Sequence, residues 1–252
     1  MTGIVLSALE FDVLWEAERL PPLHPALRVP SPGRTHTERR ALIGQAWESL
    51  RARGLARGER VSGELMDQLN LLTHPKVSID SWVWTDREIK GLAVSTGRQA
   101  LLAVVDGGEV WLIPARDTSL PESAVSVAGD LHAGVGHSVS VPHDVLRAAD
   151  ADAAGEPKAL VTALNDRGVE LWEAQELAGM LVGMTARGQF GVERMGRDGT
   201  MHRAARVIAF YDTDAGRYLV QVAGTGGRDW ATVAPADNQL IAGRIWELLD
   251  EV

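Results

Sequence analysis

The feature that most constrains this chain is a skeleton written twice. Residues 97 to 111 read GRQALLAVVDGGEVW and residues 216 to 230 read GRYLVQVAGTGGRDW, so Gly97, Arg98, Gly107, Gly108 and Trp111 recur 119 positions later as Gly216, Arg217, Gly226, Gly227 and Trp230. In each copy two β-prone runs flank a double glycine. Glycine takes φ > 0 without strain, so each double glycine predicts a tight hairpin. Two such hairpins at one offset predict two related halves, 1–130 and 131–252, within one 252-residue unit.

The segments around the hairpins extend the relation. The first half opens with a loosely alternating stretch, residues 2–15, read as a strand, and the proline-rich LPPLHPALRVPSPG follows it. Thr35 with Glu38 then forms a capping box. Leu42, Ile43, Ala46, Trp47 and Leu50 fall at helical spacing, and Gly54 closes that helix. A second apolar stripe, Val61, Leu65, Met66, Leu69 and Leu72, ends at Pro75. Four short β segments come next, VSIDSWVW, IKGLAVST, ALLAVVD and EVWLIPA, with turns at Thr85 to Glu88, at Gly97 and Arg98, and at Gly107 and Gly108.

From Arg116 to Gly168 the chain turns rich in Gly, Ala, Ser and Pro, a connector with short helices near 119–126, 142–150 and 156–164. A helix over GVELWEAQELAGMLVG precedes four more β segments, GQFGVERMG, MHRAARVIAFYD, RYLVQVAG and DWATVA, and a last helix runs from about Pro235. Neither meander has enough strands to bury a good core alone. The expected fold class is α+β: a central antiparallel β-sheet with helical bundles packed on it, in two pseudo-symmetric halves. Trp47, Trp172 and Trp246 are expected to pack against the sheet through the apolar stripes of their helices.

Composition narrows the function. A net charge of −9 and the dispersal of the arginines exclude nucleic acid as the main partner, because phosphate binding requires clustered cations. The dense basic stretch from Arg34 to Arg57 has helical spacing and reads as a solvated face. With no cysteine the chain forms no disulfide and no thiolate metal site, which fits a reducing compartment, the cytoplasm. The start, MTGIVLSALEFDVLWE, lacks the pattern of a signal peptide and is read as mature structure. The longest uncharged stretch, Leu131 to His143, falls short of the roughly 20 apolar residues that insert into a bilayer.

Chemistry is sparse. No GxGxxG, GxxxxGK[ST], GxSxG or HExxH occurs. The double glycines precede strands, so they cradle no phosphate. His132, His137 and His143, with Asp130 and Asp144 nearby, have spacings that suit neither a helix face nor a strand face, and Ser138 beside His137 points away from it. Asp212 and Asp214 fall at an expected hairpin tip, where Asp caps its own turn. No catalytic residue, metal ligand or cofactor is assigned. The tip Trp84, Thr85, Asp86, Arg87, Glu88 sets an indole among charges and suits a protein partner. Two alternatives stay open: a small-molecule or metal-dependent hydrolytic enzyme using the His132 to Asp144 loop, and a structural homodimer joined through exposed sheet edges.

Five segments, SALEFDVLWE, ALRVPSPG, RGQFGVERM, YDTDAGRYL and WATVAPAD, resemble in order and spacing the EspG family, the cytoplasmic chaperones of actinobacterial type VII (ESX) secretion systems. The likeness runs over nearly the whole chain, and its specificity lies in the number and order of the segments. The resemblance implies a central antiparallel sheet with helical bundles and quasi-two-fold halves. It implies a non-enzymatic protein that holds the apolar tip of a PPE helical bundle in a PE–PPE heterodimer or similar helical substrate; apart from the resemblance, exposed sheet edges leave open a homodimer when the chain is client-free. It places the partner-binding surface at Trp84, Asp86, Arg87, Glu88 and Arg98, and on the strands that carry Gln189, Phe190, Arg203 and Arg206.

Overall fold

A computed structural model describes residues 3–252. Thr2, where the opening strand is expected to begin, lies outside them. That strand is short: β1 covers Ile4–Ser7, and α1 follows at once over Ala8–Ala17. The backbone N–H of Glu10 donates to Ser7 Oγ at 3.1 Å, and that of Ser7 donates to Glu10 Oε2 at 2.7 Å. This capping box satisfies two donors and starts a helix where loose alternation predicts strand.

The rest of the first half follows the expected order. Helix α2 (His36–Ala52) opens at the Thr35 and Glu38 capping box and α3 (Gly63–Thr73) follows it, with a small unanticipated hairpin, β2 (Ala56–Arg57) and β3 (Arg60–Val61), between them. The meander is β4 (Val77–Trp84), β5 (Glu88–Ser95), β6 (Ala100–Asp106) and β7 (Glu109–Ala115), and α4 (Leu120–Val125) comes after it.

In the second half the expected connector contains a strand, β8 (Val139–Pro142), before α5 (His143–Ala153), α6 (Pro157–Asn165) and α7 (Leu171–Leu181). The second meander starts with β9 (Met184–Met195). The expected strand over 201–212 is divided into β10 (Met201–Arg203) and β11 (Ile208–Thr213), and β12 (Gly216–Thr225), β13 (Arg228–Pro235) and α8 (Asn238–Leu249) complete the chain.

Ten of these strands lie in the order β1-β7-β6-β5-β4-β9-β11-β12-β13-β8, and β10 pairs with β9 off this path. All the ladders between them are antiparallel. The order reads alike outward from the β4–β9 ladder. Each half is an edge strand, three helices, a meander and a closing helix, so the halves are related about an axis between β4 and β9. The double glycines turn as the repeat requires, with φ of 56° and 88° at Gly107 and Gly108 and of 62° and 80° at Gly226 and Gly227.

Side chains alternate across the sheet, so register assigns its two faces. On the front face α1, α2 and α3 pack over Leu92, Val94, Leu101, Ala103, Val110 and Leu112, while α5, α6 and α7 pack over Val139, Val141, Tyr211, Tyr218 and Val233. On the back face α4 and α8 meet each other over Ile79, Val83, Leu102, Phe190, Val192, Phe210 and Leu219. Trp47 is buried as expected and Trp246 is half-buried. Trp172 is 60% exposed, contrary to expectation. The buried stripe of α7 is Ala174, Leu177 and Ala178, and helical spacing puts Trp172 off that stripe.

Candidate functional site

The helices leave the centre of the front face open. There β4, β9 and β11 lie between the α1–α3 wing and the α5–α7 wing. The 3₁₀ turn Pro25–Leu27 covers part of β4 there and also rests on β5 and β6. Register lines up Trp82, Gln189, Ala209 and Val220 in one row across four strands. The floor continues into a groove of about 830 Å³, lined by Ala209, Val220 and Val222 with Arg206 and His143 at its margin.

The aromatic end of this trough is built by strand period. Trp82 and Trp84 are two residues apart, so both project from the front face. Their rings stack with centroids 6.4 Å apart. Trp82 Nε1 donates to Asp80 Oδ1 at 2.9 Å, and Trp84 Nε1 donates to Glu88 Oε1 at 3.2 Å. Cations stand over both rings: Lys90 Nζ lies 5.8 Å from the Trp82 centroid, and the Arg187 guanidinium 5.7 Å from that of Trp84.

Asp80 is nearly buried and is neutralised by Arg203, whose nitrogens lie 2.7 and 3.2 Å from its two oxygens. Arg203 also reaches Glu193 at 3.0 Å. Its side chain crosses β9 over Gly191, where any Cβ would come within 2.7 Å of Asp80 Oδ2. His24, in the adjoining turn, is held below its ordinary pKa, first by burial and against the pull of Asp80 and Glu193.

The residues expected at a partner surface divide into groups. Trp84, Asp86, Arg87 and Glu88 gather at the β4–β5 turn. Arg87 pairs with Asp106 through two bonds of 2.6 and 3.0 Å, which lower the Asp106 carboxyl and raise the guanidinium. Asp86 is lowered mainly by the Thr85 hydroxyl, with Arg87 next. Gln189 is at the centre of the trough. Arg203 is half-exposed and already bound to Asp80, and Arg206 pairs with Glu251 beside the groove. Arg98 lies exposed in the turn after β5, at the opposite end of that strand from Arg87; eight residues of strand separate these ends by roughly 23 Å. Phe190 offers no surface: it is fully buried on the back face, stacked on Phe210 at 5.6 Å. Its even offset from Val192 puts it with the core, and its neighbour Gln189 is the one that faces the trough.

Trp82, Lys90 and Arg187 were not singled out from the sequence. Their signal was present in the spacing of WVW, which sets both indoles on one face. The cations come from neighbouring strands and needed the register to be known.

The other motifs resolve into structure. Asp212, expected to cap a turn, is a buried strand residue, with its two oxygens 2.7 and 2.9 Å from Arg217 nitrogens. His137 bonds to Glu176 at 3.2 Å, Asp144 pairs with Arg228 at 2.9 Å, and the backbone of His132 follows β12. Among the described residues no three His, Asp or Glu side chains gather where an ion would be held, and no helix is long and apolar enough to cross a membrane.

The sequence matches the model of the EspG family over residues 7–247, nearly its full length. The chain belongs to the EspG family. No curated protein sequence resembles it closely enough to count as a match. Among solved structures, its fold is similar to that of the Mycobacterium tuberculosis type VII secretion system chaperone EspG5, solved in complex with a PE25–PPE41 dimer. The TM-score is 0.77 at 14% identity, over 99% of this chain and 96% of that one. At that identity the likeness concerns the fold, and it spans both halves.

Proposed function

We propose that this EspG-family chain is a cytoplasmic, non-enzymatic chaperone of a type VII secretion system that holds a PE–PPE heterodimer by the apolar tip of its helical bundle. The observation that carries the reading is the open strip on the front face, where half-buried indoles and an aliphatic groove lie uncovered between two helical wings. Large apolar surface left open in this way marks an interaction site. Family membership and the fold shared with EspG5, itself solved with PE25–PPE41, support the same reading. An apolar helical tip is an aggregation liability, and covering it while charged residues select the partner keeps such a client soluble.

In this reading the whole chain, 1–252, acts as one unit. Trp84, Gln189 and Arg206 line the surface, with Trp82 beside them. Asp86, Arg87, Glu88 and Arg203 form the rim, and Arg98 meets only a client long enough to reach the far end of β5.

The test is co-expression with PE–PPE pairs from the same cell, followed by size-exclusion chromatography. One pair is expected to elute with the chain in equal amount and to precipitate without it. Trp82→Ala is expected to weaken that complex by about 2 kcal/mol or more, the loss typical of a central aromatic anchor. Separate elution of every pair at micromolar concentration would sink the proposal.

A further inference from the structure

Resting on the client-binding reading above, we infer that the trough reads a carboxylate on its client: the tip it holds carries an acidic side chain beside an apolar one, and Arg187 with Lys90 receives the acid. In a chain with 34 acidic and 25 basic residues, most cations around the front face are matched within the molecule. Arg203 is matched by Asp80 and Glu193, Arg206 by Glu251 and Arg87 by Asp106. Arg187 is not. It is exposed and stands over the Trp84 ring, and its side chain makes no hydrogen bond or ion pair with any described residue. Lys90 is held nearby, its Nζ over Trp82, donating to the Arg28 carbonyl oxygen at 3.1 Å and 4.0 Å from Glu88 Oε2, a loose pair that leaves room for a second carboxylate.

The geometry selects among occupants. A wholly apolar tip would have to push both cations off the rings and leave Arg187 without compensation. A tip that sets a carboxylate against the cations and an aliphatic side chain beside it keeps the ring contacts and completes the charge. A guanidinium held over an indole keeps its N–H donors free, and their fork geometry matches a carboxylate. The fit is to an acidic protein segment; a phosphate polymer would meet a molecule with a net charge of −9.

The experiment uses the full chain and the PE–PPE heterodimer that co-elutes with it, with affinity measured at about 50 mM and about 500 mM salt. Arg187→Glu and Lys90→Glu, each with an unchanged circular dichroism spectrum, are expected to bind at least about tenfold more weakly, most clearly at low salt. A heterodimer whose tip acids are converted to amides is expected to lose about tenfold on the unaltered chain and little more on Arg187→Gln, because paired residues lose their coupling together. If both charge reversals bind within about twofold while Trp82→Ala fails to bind, the trough remains the client site and the carboxylate reading is overturned. If no heterodimer binds the unaltered chain, both readings fall.

Discussion

Arg98 and Arg217 hold the same place in the repeated skeleton, but Arg98 is exposed in a turn while Arg217 has no exposed side chain. The buried guanidinium donates to Asp212, to the carbonyl oxygens of Ala128 and Gly129 at 2.8 and 3.1 Å, and to Asn238 at the start of α8, and it lies 4.7 Å from the Phe210 ring centroid. The divergence begins with the turns. Strand β12 starts at Gly216, whereas β6 starts only at Ala100, after Arg98 has passed. Residues 132–135 then lie along the opening of β12: Arg217 N donates to His132 O, Gly134 N to Arg217 O, and Tyr218 Oη to Val135 O. The repeat preserves what the backbone needs, glycines at φ > 0, and leaves the side chains to diverge. In the second half the arginine became a clamp between the sheet, α8 and the segment after α4.

The largest expected effect breaks that clamp. Arg217→Ala strands Asp212, which is 7% exposed, and is expected to cost about 3–5 kcal/mol, the loss seen when one partner of a buried pair is removed. Arg98→Ala is expected to stay within about 0.5 kcal/mol. Chemical denaturation of the two variants checks both, and equal losses would mean that the halves do not differ as described. A smaller contrast lies one residue earlier. Gly97, at φ of 89° with open space around it, is expected to lose about 1–2 kcal/mol on change to Ala, from backbone strain alone. Gly216→Ala is expected to lose more, because φ is 121° and the added Cβ would lie 2.8 Å from Ala133 O. Matching midpoints for the two would remove the packing of residues 132–135 as the cause.

The smallest effect is confined to the first half. His24 accepts from the Ala26 N–H at 3.2 Å through Nδ1, and burial lowers its pKa from 6.5. As pH falls, the unfolded chain takes up this proton first. The stability His24 contributes is therefore complete above pH 6.5 and lost as pH drops through its folded value. Between pH 7 and about pH 5 the protein should lose slightly more stability than His24→Gln, as judged by urea midpoints. Parallel curves would show that the proton binds both states alike.

Much of the fold was legible because local rules and burial agree. Thr35 with Glu38 marked a helix, and in the first half, from VSIDSWVW to EVWLIPA, each run met a turn residue where its strand ends. The misses fall where they conflict. Ser7 and Glu10 started a helix inside an alternating stretch, and a four-residue strand, β8, lay in a segment whose composition suggests a loop. Asp212 looked like a turn residue because its partner, Arg217, enters from the adjoining strand. The candidate site was half legible. Trp84 and Gln189 could be named, but Phe190 was named beside Gln189 although it lies in the core, since one residue of register exchanges the core for the trough.

By itself the sequence determined the twofold plan of this protein. Glycines at positive φ and runs of period two are local requirements, and they recur at one offset whatever surrounds them. Only the tertiary structure decided which copy of the repeated arginine is buried, which indoles share a face, and that the wings part over β4 and β9. Those outcomes depend on residues far apart in the chain being brought into register, which no local pattern encodes.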